Sequence, residues 1–424
     1  MTASGTVDPT LLDDLQWRGL IAQSTDLDAL RAALTGGSVR FYVGFDPTAP
    51  SLHMGHLVQV LTARRLQQAG HTPYALVGGA TGMIGDPRES GERSLNSLDT
   101  VKEWVQRVRA QIEPFLSFEG GNAATMVDNY DWTASLSTID FLRDIGKHFP
   151  VNRMLARDVV ARRLEAGISY TEFSYVLLQS MDYLNLHRDH GVTLQFGGSD
   201  QWGNLTAGVD LVRRVVGAHV HAFATPLLTR SDGTKYGKTE GGALWLDPEM
   251  MSPYAFHQFW LNAEDEKVGE LLRIFTFLDH EEISALEKQT DEEPWKRAGQ
   301  KALADEVTTL VHGVDETARA KAAAAALFGG GELRDLDERT LAGALREAGA
   351  VSAPPGIGIV ELLVESGLAK SKGEARRTIS EGGAYLNNDR VTDPELVPDA
   401  GQLLHGCWLV LRRGKRHLAG VEVR

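Results

Sequence analysis

The sequence contains a single cysteine, Cys407, among 424 residues. That scarcity excludes an internal disulfide framework and a zinc site built from several cysteines. No uninterrupted apolar run reaches the length that a transmembrane helix needs, so we expect no membrane-spanning segment. The first 17 residues have neither a basic stretch nor an apolar core, and we therefore expect no secretory signal. Together these features favour a cytoplasmic protein.

The composition, with 42% hydrophobic and 24% charged residues, is typical of a globular protein. The length predicts two or three domains. A net charge of −14 argues against a general nucleic-acid binder. Residues 357–424 differ from the rest, because their 10 basic residues slightly outnumber their 9 acidic ones. Any contact with nucleic acid must therefore be local.

Strand-like and helix-like segments alternate between residues 39 and 246, which predicts a Rossmann-like, doubly wound parallel sheet. We expect an α/β domain over 1–246, a mainly α-helical domain with a connector over 247–350, and a small α+β domain over 351–424. The Pro354–Pro355 pair makes 351–356 the clearest candidate linker. In parallel sheets ligands bind beyond the carboxyl ends of the strands, so the loops that follow strands are the candidate sites.

The loop 46–56 joins a predicted strand to a predicted helix. His53 and His56 are three residues apart, so both side chains lie on the same side of a first helical turn. Two imidazoles beside the unpaired N–H groups of a helix start can stabilise phosphate charge, and Gly55 leaves room for a flat ring. Two surface histidines beside an ordinary helix cap are the alternative.

A second candidate is the Gly- and Ser/Thr-rich stretch 229–239, which follows the strand-like segment 226–228. Its lysines, Lys235 and Lys238, can close over a polyphosphate. A solvated basic loop is the alternative.

The third candidate is a polar stripe on an otherwise apolar predicted helix, formed by Tyr175, Gln179 and Asp182. Buried polar groups are costly unless something satisfies them, and a bound zwitterion with a phenol would do so. A helix face that meets water, or a polar network in the core, is the alternative.

The His53–His56 segment and the Lys235–Thr239 segment resemble the two signature motifs of class I aminoacyl-tRNA synthetases. The closer resemblance is to the bacterial tyrosyl-tRNA synthetase family, and it covers nearly the whole chain. The further motifs that carry it are 44–48, 78–87, 128–132 and 197–204.

The resemblance implies a ligase that activates L-tyrosine with ATP, supplied with Mg²⁺, and then esterifies tRNA(Tyr). It makes 1–246 the catalytic nucleotide-binding domain and 247–350 a helical anticodon-side domain with a connector. The implied catalytic residues are Thr48, His53, His56, Lys235, Lys238 and Thr239. The implied tyrosine-binding residues are Tyr42, Asp86, Tyr175, Gln179, Asp182 and Gln201. The implied ATP-binding residues are Asp46, Gly55, Asp200 and Lys238. No tightly bound cofactor and no resident metal are implied.

Residues 358–388 read as two short helices, a turn and a strand, and resemble an S-four-like RNA-binding domain. The implied RNA-binding residues are Lys370, Lys372, Arg376 and Arg377, with 412–416 as a second basic group. A solvated run of charges is the alternative. The family also implies a homodimer, with residues 128–158 at the contact and Val151, Met154 and Leu155 as candidate apolar contacts.

Three departures from the family pattern are visible. Met54 takes an apolar position that Ile or Leu usually holds. The loop 86–93 is short and lacks the usual lysine, which leaves Arg88 and Arg93 as candidate replacements. Gln59 stands where many relatives have a small hydroxyl residue near the ribose. The alternatives to the tyrosyl assignment are the tryptophanyl-tRNA synthetases and a non-catalytic relative that binds structured RNA.

Overall fold

The computed structural model describes residues 7–87, 91, 95–239, 242–328, 331–414 and 417–424, with the backbone alone at 238 and 239. Its internal contacts divide the chain into two compact units. The first comprises 1–247 and 269–284, and the second comprises 248–268 and 285–424. The second unit therefore contains both the helical segment and the tail, and the three domain limits expected from the sequence stay predictions.

The first unit is built on a six-stranded sheet with the order β1-β6-β5-β2-β3-β4. Its strands are β1 (Gln23–Ser24), β2 (Arg40–Phe45), β3 (Thr72–Val77), β4 (Thr125–Asp128), β5 (Leu194–Gly198) and β6 (His221–Thr225). β1 pairs antiparallel with β6, and the other strands pair in parallel. The predicted α/β fold with a parallel sheet is thus confirmed.

The helices of the first unit connect and cover these strands. They are α1 (Leu11–Trp17), α2 (Leu27–Gly36), α3 (Met54–Gln68), α4 (Thr81–Ile84), α5 (Leu98–Ile112), α6 (Tyr130–Thr133), α7 (Thr138–Asp140), α8 (Val151–Leu155), α9 (Asp158–Arg163), α10 (Tyr170–His190) and α11 (Trp202–Val216). The chain runs from β2 outward through β3 and β4, and then returns to add β5 and β6 on the other side. Right-handed crossovers place the helices of the two halves on opposite faces.

The strand order reverses between β2 and β5, and this reversal positions the candidate site. The two strands pair only at Phe41 with Leu194 and at Tyr42 with Gln195. Beyond these pairs their carboxyl ends are no longer hydrogen-bonded to each other, which leaves a crevice at the switch point.

The segment 226–228 was expected to be strand-like, and this prediction is wrong. β6 ends at Thr225, and the next residue, Pro226, has no N–H for a sheet hydrogen bond. The following loop instead forms a small antiparallel ribbon of β7 (Lys238–Thr239) and β8 (Gly242–Ala243).

The second unit combines a helical part with a five-stranded sheet. Two helices have residues in both units: α13 (Asp265–Phe275) and α14 (His280–Glu292). The other helices are α12 (Pro253–Leu261), α15 (Ala298–His312), α16 (Val314–Leu327), α17 (Glu338–Glu347), α18 (Ile359–Glu365) and α19 (Lys372–Ser380). The strands are β9 (Val351–Ala353), β10 (Ala384–Leu386), β11 (Asp389–Arg390), β12 (Trp408–Arg413) and β13 (His417–Val423), in the order β11-β10-β12-β13-β9.

The predicted linker 351–356 is wrong for its first half. Val351–Ala353 forms β9, which pairs in parallel with β13 at the edge of the tail sheet. The prolines end this strand, because neither can donate to a ladder. The predicted α+β character of the tail is confirmed, since one face of its sheet packs on α18 and α19 through residues such as Leu362 and Leu411.

The other face of the tail sheet shares a core with the helical part. Trp408 and Val410 of β12 pack with Leu341 and Leu345 of α17 and with the alanines of α16. The tail is therefore held by apolar burial as well as by the chain connection. In the described part of the protein, no helix is both long enough and apolar enough to span a membrane.

Candidate functional site

The crevice between β2 and β5 brings together side chains from four segments. The Tyr175 hydroxyl in α10 donates to Asp46 Oδ2 after β2, at 2.6 Å. Thr81 in α4 donates to the other oxygen, Asp46 Oδ1, at 2.6 Å. Gln201, after β5, donates to Asp86 Oδ2 at 2.7 Å. The hydrogen bond between Tyr175 and Asp46 thus joins a residue predicted for tyrosine to a residue predicted for ATP.

Tyr42 and Asp182 are almost fully buried, with exposed fractions of 1% and 2%. Asp182 accepts hydrogen bonds from Trp132 Nε1 at 2.9 Å and from Asn129 Nδ2 at 3.0 Å. Burial nevertheless raises the pKa of Asp182 to about 8. Within the described residues the Tyr42 hydroxyl has no hydrogen-bond partner. Burial raises the pKa of Tyr42, and the charge of Asp182 acts in the same direction, which indicates that the two groups are close.

A buried hydroxyl without a partner costs free energy that a ligand can recover. The Tyr42 oxygen and the Asp182 carboxyl together offer a donor and an acceptor in a dry, apolar surrounding. This pair therefore matches a hydroxyl at the end of an aromatic ligand.

A second group of polar side chains, separate from the Tyr42–Asp182 pair, is rich in hydrogen-bond acceptors. Asp46 and Asp86 contribute carboxylates, and Gln179 contributes a buried side-chain oxygen that has no partner among the described residues. Burial raises the pKa of Asp86, whereas hydrogen bonds from Gln201 and Asn204 and the charge of Arg157 oppose that change. An ammonium group supplies the positive charge and the three donors that such a cluster needs.

The glycines that follow β3 allow this close packing. A Cβ at Gly78 would lie 2.2 Å from Asp46 Oδ1, and one at Gly79 would lie 2.4 Å from Asp128 Oδ1. Asp128 in turn accepts the backbone N–H groups of Gly79 at 3.1 Å and Tyr130 at 2.9 Å. A side chain at either glycine would push the loop away from the acidic cluster.

His53 and His56 form the amino-terminal cap of α3. His53 Nδ1 accepts the N–H of Gly55 at 3.1 Å, and His56 Nδ1 accepts the N–H of His53 at 3.2 Å. The rings stack with centroids 3.9 Å apart. Burial lowers the pKa of both histidines, most strongly that of His56. Each neutral ring accepts at Nδ1 and therefore carries its proton on Nε2, so each retains one N–H donor.

The loop after β6 packs against the cap of α3. The Gly237 backbone, with φ of +81°, lies so close to Met54 that a Cβ there would be 2.8 Å from the Met54 Cε. Lys235 is exposed and bridges to Thr229 through the backbone. Its charge contributes to the lowered pKa of His53, after burial, which indicates that the lysine is near the histidine pair. The side chains of Lys238 and Thr239 lie outside the described residues.

The remaining predicted ATP-site residues lie around the same crevice. The Thr48 N–H donates to the Asp46 carbonyl at 2.8 Å, in a tight turn after β2. Gly55 is exposed in the first turn of α3. Asp200 and Gln59 both approach Gly198 at the end of β5. Gln59 donates to Thr225 Oγ1 at 2.7 Å, and its buried side-chain oxygen has no partner in the described structure.

Arg88 and Arg93 are the candidate replacements for the missing lysine of the loop 86–93, and both lie outside the described residues. Over the part of the chain that the structure describes, no group of three or more His, Cys, Asp or Glu side chains is placed to hold a metal ion.

The predicted RNA-binding residues lie on exposed surface at α19 and just before it. Lys372 pairs with Glu361 at 2.6 Å, Arg376 pairs with Glu395 at 2.6 Å, and Lys370 is exposed. Arg377 lies 3.8 Å from Glu381. Exposed pairs of this kind are weak, so the cations remain exchangeable. In the second basic group, Arg412 stacks over Tyr385 at 4.3 Å, and residues 415 and 416 lie outside the described residues.

Sequence reasoning missed the residues that support the predicted ones. Asn129 and Trp132 hold Asp182, and Thr81 holds Asp46. All three belong to motifs that the sequence resemblance singled out without giving them a role. Two polar residues directly after a strand, as in Asp128–Asn129, were the available signal.

Models of known families match two stretches of the chain. The model described as tRNA synthetases class I (W and Y) matches residues 35–329. The model described as the tyrosine–tRNA ligase SYY-like C-terminal domain matches residues 347–420.

Curated relatives match nearly the whole chain. The tyrosine–tRNA ligase of Streptomyces griseus is 65% identical over 416 residues, which cover 97% of this chain and 98% of the relative. The tyrosine–tRNA ligase of Mycobacterium tuberculosis is 60% identical over 417 residues, with the same coverage.

Solved structures match the larger part of the chain. A C-terminally truncated mitochondrial tyrosyl-tRNA synthetase of Aspergillus nidulans has a TM-score of 0.67 at 30% identity, over 73% of this chain and 92% of that one. The tryptophanyl-tRNA synthetase of Plasmodium falciparum has a TM-score of 0.53 at 14% identity, over 79% of this chain and 89% of that one, which reflects the shared fold alone.

Proposed function

Because the chain belongs to the tyrosine–tRNA ligase family of the class I tRNA synthetases, we propose that it charges tRNA(Tyr) with L-tyrosine. In the first step the tyrosine carboxylate attacks the α-phosphate of ATP, which forms tyrosyl-adenylate and releases pyrophosphate. In the second step a ribose hydroxyl of the terminal adenosine attacks the activated carbonyl, and AMP leaves.

The single observation that carries this proposal is the buried pair of Tyr42 and Asp182. The Tyr42 hydroxyl lacks a partner in the described residues, and the Asp182 carboxyl is held by Asn129 and Trp132. A substrate phenol can donate to Asp182 and accept from Tyr42. Phenylalanine would leave the Tyr42 hydroxyl without a partner and would give Asp182 no hydrogen bond beyond those from Asn129 and Trp132. A buried polar group that only the correct substrate can pair gives strong discrimination.

The acceptor cluster binds the other end of tyrosine. In the proposal Asp86, Tyr175 and Gln179 receive the ammonium group, and Gln201 contacts the carboxylate. Asp46 is hydrogen-bonded to Tyr175, so a residue assigned to the ATP side also fixes a residue of the tyrosine side. Such coupling places the carboxylate and the α-phosphate next to each other, and positioning of this kind supplies much of the rate.

The cap of α3 stabilises charge on the phosphates. The two Nε2–H donors of His53 and His56 and the dipole of a 15-residue helix are available there. Thr48, Lys235, Lys238 and Thr239 complete the phosphate-binding groups, and Gly55 and Asp200 contact the adenosine. Because the attacking carboxylate is already ionised, no general base is required. Mg²⁺ arrives with ATP as part of the substrate.

The tail binds tRNA through exposed cations. Lys372, Arg376 and Arg377 exchange their weak carboxylate partners for RNA phosphates, and the exposed Lys370 adds a fourth cation. Such contacts recognise RNA by charge and shape rather than by base identity. We infer from this activity that the enzyme works in the cytoplasm, where tRNA is charged for translation.

A homodimer is part of the same proposal. Between residues 139 and 155, Ile139, Leu142, Val151 and Leu155 expose 70%, 45%, 60% and 37% of their surfaces. Apolar side chains grouped in this way mark an interaction surface. Met154, named with them from the sequence, is buried in the core of the first unit and supports this surface from beneath.

The test is exchange of labelled pyrophosphate into ATP, measured without tRNA for each of the twenty amino acids. Exchange that requires tyrosine supports the proposal. Exchange driven by tryptophan moves the assignment to the tryptophanyl enzymes, and folded protein that exchanges with no amino acid favours a non-catalytic RNA-binding relative.

A further inference from the structure

We propose that Arg157, acting through Asn204, is a positioning residue that holds Asp86 and Gln201 in the arrangement that binds tyrosine. This inference rests on the proposed function and assigns a role to two residues outside the predicted site.

Asn204 is the centre of the arrangement. It is buried in the first turn of α11, and its Nδ2 donates to Asp86 Oδ1 at 3.2 Å and to Gln201 Oε1 at 2.8 Å. Gln201 Nε2 in turn donates to Asp86 Oδ2. The three side chains therefore form a closed ring, and this ring is consistent only if the Asn204 NH₂ group faces Asp86.

Arg157 fixes that orientation. Its guanidinium donates to Asn204 Oδ1, the atom that must accept if the NH₂ group is to face Asp86. If the amide turned over, its oxygen would meet the Asp86 carboxylate and its NH₂ would meet the guanidinium. Both contacts are repulsive, so the arginine selects one of the two amide orientations.

The backbone is shaped to admit this guanidinium. A Cβ at Gly203 would lie 3.0 Å from Arg157 Nη2 and 3.2 Å from Nε. The flat group thus lies directly against the glycine, and a lysine has no such planar surface.

Arg157 also acts on the charge of Asp86. Burial raises the pKa of Asp86, and the positive charge of Arg157 opposes it. Asp200 acts in the same sense as burial, and Tyr175 interacts with both Asp86 and Arg157. Among the described residues, Arg157, Asp200 and Tyr175 are thus the charged and titratable groups whose effect on Asp86 is resolved. Loss of the arginine therefore shifts Asp86 toward its protonated form, which cannot bind an ammonium group as an anion.

The experiment compares full-length Arg157→Met, Arg157→Lys, Asn204→Ala and the Arg157→Met/Asn204→Ala double variant with the wild type. Tyrosine Kd is measured by calorimetry between pH 5.5 and 8.5 without tRNA, next to the Kd of desamino-tyrosine, which has no ammonium group. Arg153→Met is the matched control, because Arg153 lies in the preceding helix, is 68% exposed and pairs only distantly with Asp210, at 3.7 Å.

We expect Arg157→Met to raise the tyrosine Kd by about tenfold to a hundredfold, the range for a lost charge-assisted hydrogen bond. Its loss of affinity at acidic pH should begin at a higher pH than in the wild type. Arg157→Lys keeps the charge, so its tyrosine affinity should fall over the same acidic pH range as in the wild type. Its rise in Kd should be smaller than that of Arg157→Met. Desamino-tyrosine keeps the carboxylate that Gln201 contacts but lacks the ammonium group, so each variant should lose several-fold less affinity for it than for tyrosine. The loss in the double variant should be smaller than the sum of the two single losses, expressed as binding free energies.

Three results would overturn the inference. The first is an equal loss of affinity for tyrosine and desamino-tyrosine, which indicates general damage to the fold. The second is an Arg157→Met variant whose tyrosine Kd and its pH dependence are unchanged but whose KM for tRNA is raised, which assigns Arg157 to RNA binding. The third is strict additivity of the Arg157 and Asn204 effects. Failure of the proposed function is distinguished by the wild type itself, which would then bind no tyrosine.

Discussion

Replacement of Tyr42 by phenylalanine should stabilise the empty enzyme and weaken its binding of tyrosine. The Tyr42 side chain is 1% exposed, and its hydroxyl has no partner in the described residues. Leaving such a group buried costs about 1–3 kcal/mol. Phenylalanine removes this cost and keeps the ring, which packs edge-on against Tyr183 at 5.3 Å.

In the proposed complex with tyrosine, the same hydroxyl makes a hydrogen bond to the substrate. A hydrogen bond of this kind contributes about 0.5–1.5 kcal/mol, so the tyrosine Kd of Tyr42→Phe should rise by about twofold to tenfold. Thermal unfolding with and without saturating tyrosine, together with calorimetric binding, measures both effects. The unfolding temperature of the empty variant should rise, and its increase on addition of tyrosine should be smaller than in the wild type.

The neighbouring Tyr183 provides the matched control. It is equally buried, but its hydroxyl donates to the His221 carbonyl at 2.8 Å. Tyr183→Phe should therefore destabilise the protein by about 1–3 kcal/mol, because it leaves a buried acceptor unpaired, and should not change tyrosine affinity. A Tyr42→Phe variant that is less stable when empty, and binds tyrosine like the wild type, would refute the reasoning.

Four further perturbations have defined outcomes. The Asp182 pKa is raised from 3.8 to about 8, so between these pH values the folded state holds a proton that the unfolded chain loses. The free energy of unfolding in urea should therefore fall as the pH rises from about 4 to about 8, and Asp182→Asn should abolish this part of the pH dependence. His56→Ala should slow adenylate formation by about 10²–10³-fold in single-turnover assays and leave tyrosine Kd nearly unchanged, since its contact belongs to the transition state. Removal of 356–424 should preserve pyrophosphate exchange and impair tRNA charging. Trp408→Ala alone should lower the free energy of unfolding by about 3–5 kcal/mol, because this side chain fills the core that the tail shares with the helical part.

The parts of the account that the sequence predicted are those governed by local pattern. The loops after β2, β3 and β5 were recognisable because a strand-like run ended in glycine or Asp–Pro beside polar residues. The polar stripe on α10 followed from helical periodicity. Parallel topology then brings the carboxyl ends of these strands to one edge of the sheet.

The supporting contacts were not predictable in the same way, because they join distant segments. Asp182 is held by Asn129 and Trp132, which precede it by 53 and 50 residues. Arg157 and Asn204 are 47 residues apart, and neither follows a local rule. Only a side-chain arrangement in three dimensions shows which amide or carboxylate each one orients.

The linker prediction was wrong for a related reason. The Pro354–Pro355 pair correctly indicated that a regular element ends, but not that Val351–Ala353 would pair with β13, which follows it by almost the length of the tail. Nor did composition indicate that both faces of the tail sheet are apolar. In β12, Trp408 and Val410 belong to the core shared with the helical part, and they alternate with Leu409 and Leu411, which belong to the core under α18 and α19. A strand buried on both faces has no simple alternating pattern.

The most direct test of the central claim, that this pocket recognises a phenol, is the ratio of kcat/KM for tyrosine to that for phenylalanine in pyrophosphate exchange. A site built to hydrogen-bond a hydroxyl, for which this enzyme family is itself the standard example, gives a ratio of about 10⁵. We predict a ratio of that order for the wild type and a clear fall in Asp182→Asn. A wild-type ratio near 10 in folded protein, the value expected of a merely apolar pocket, would contradict the account.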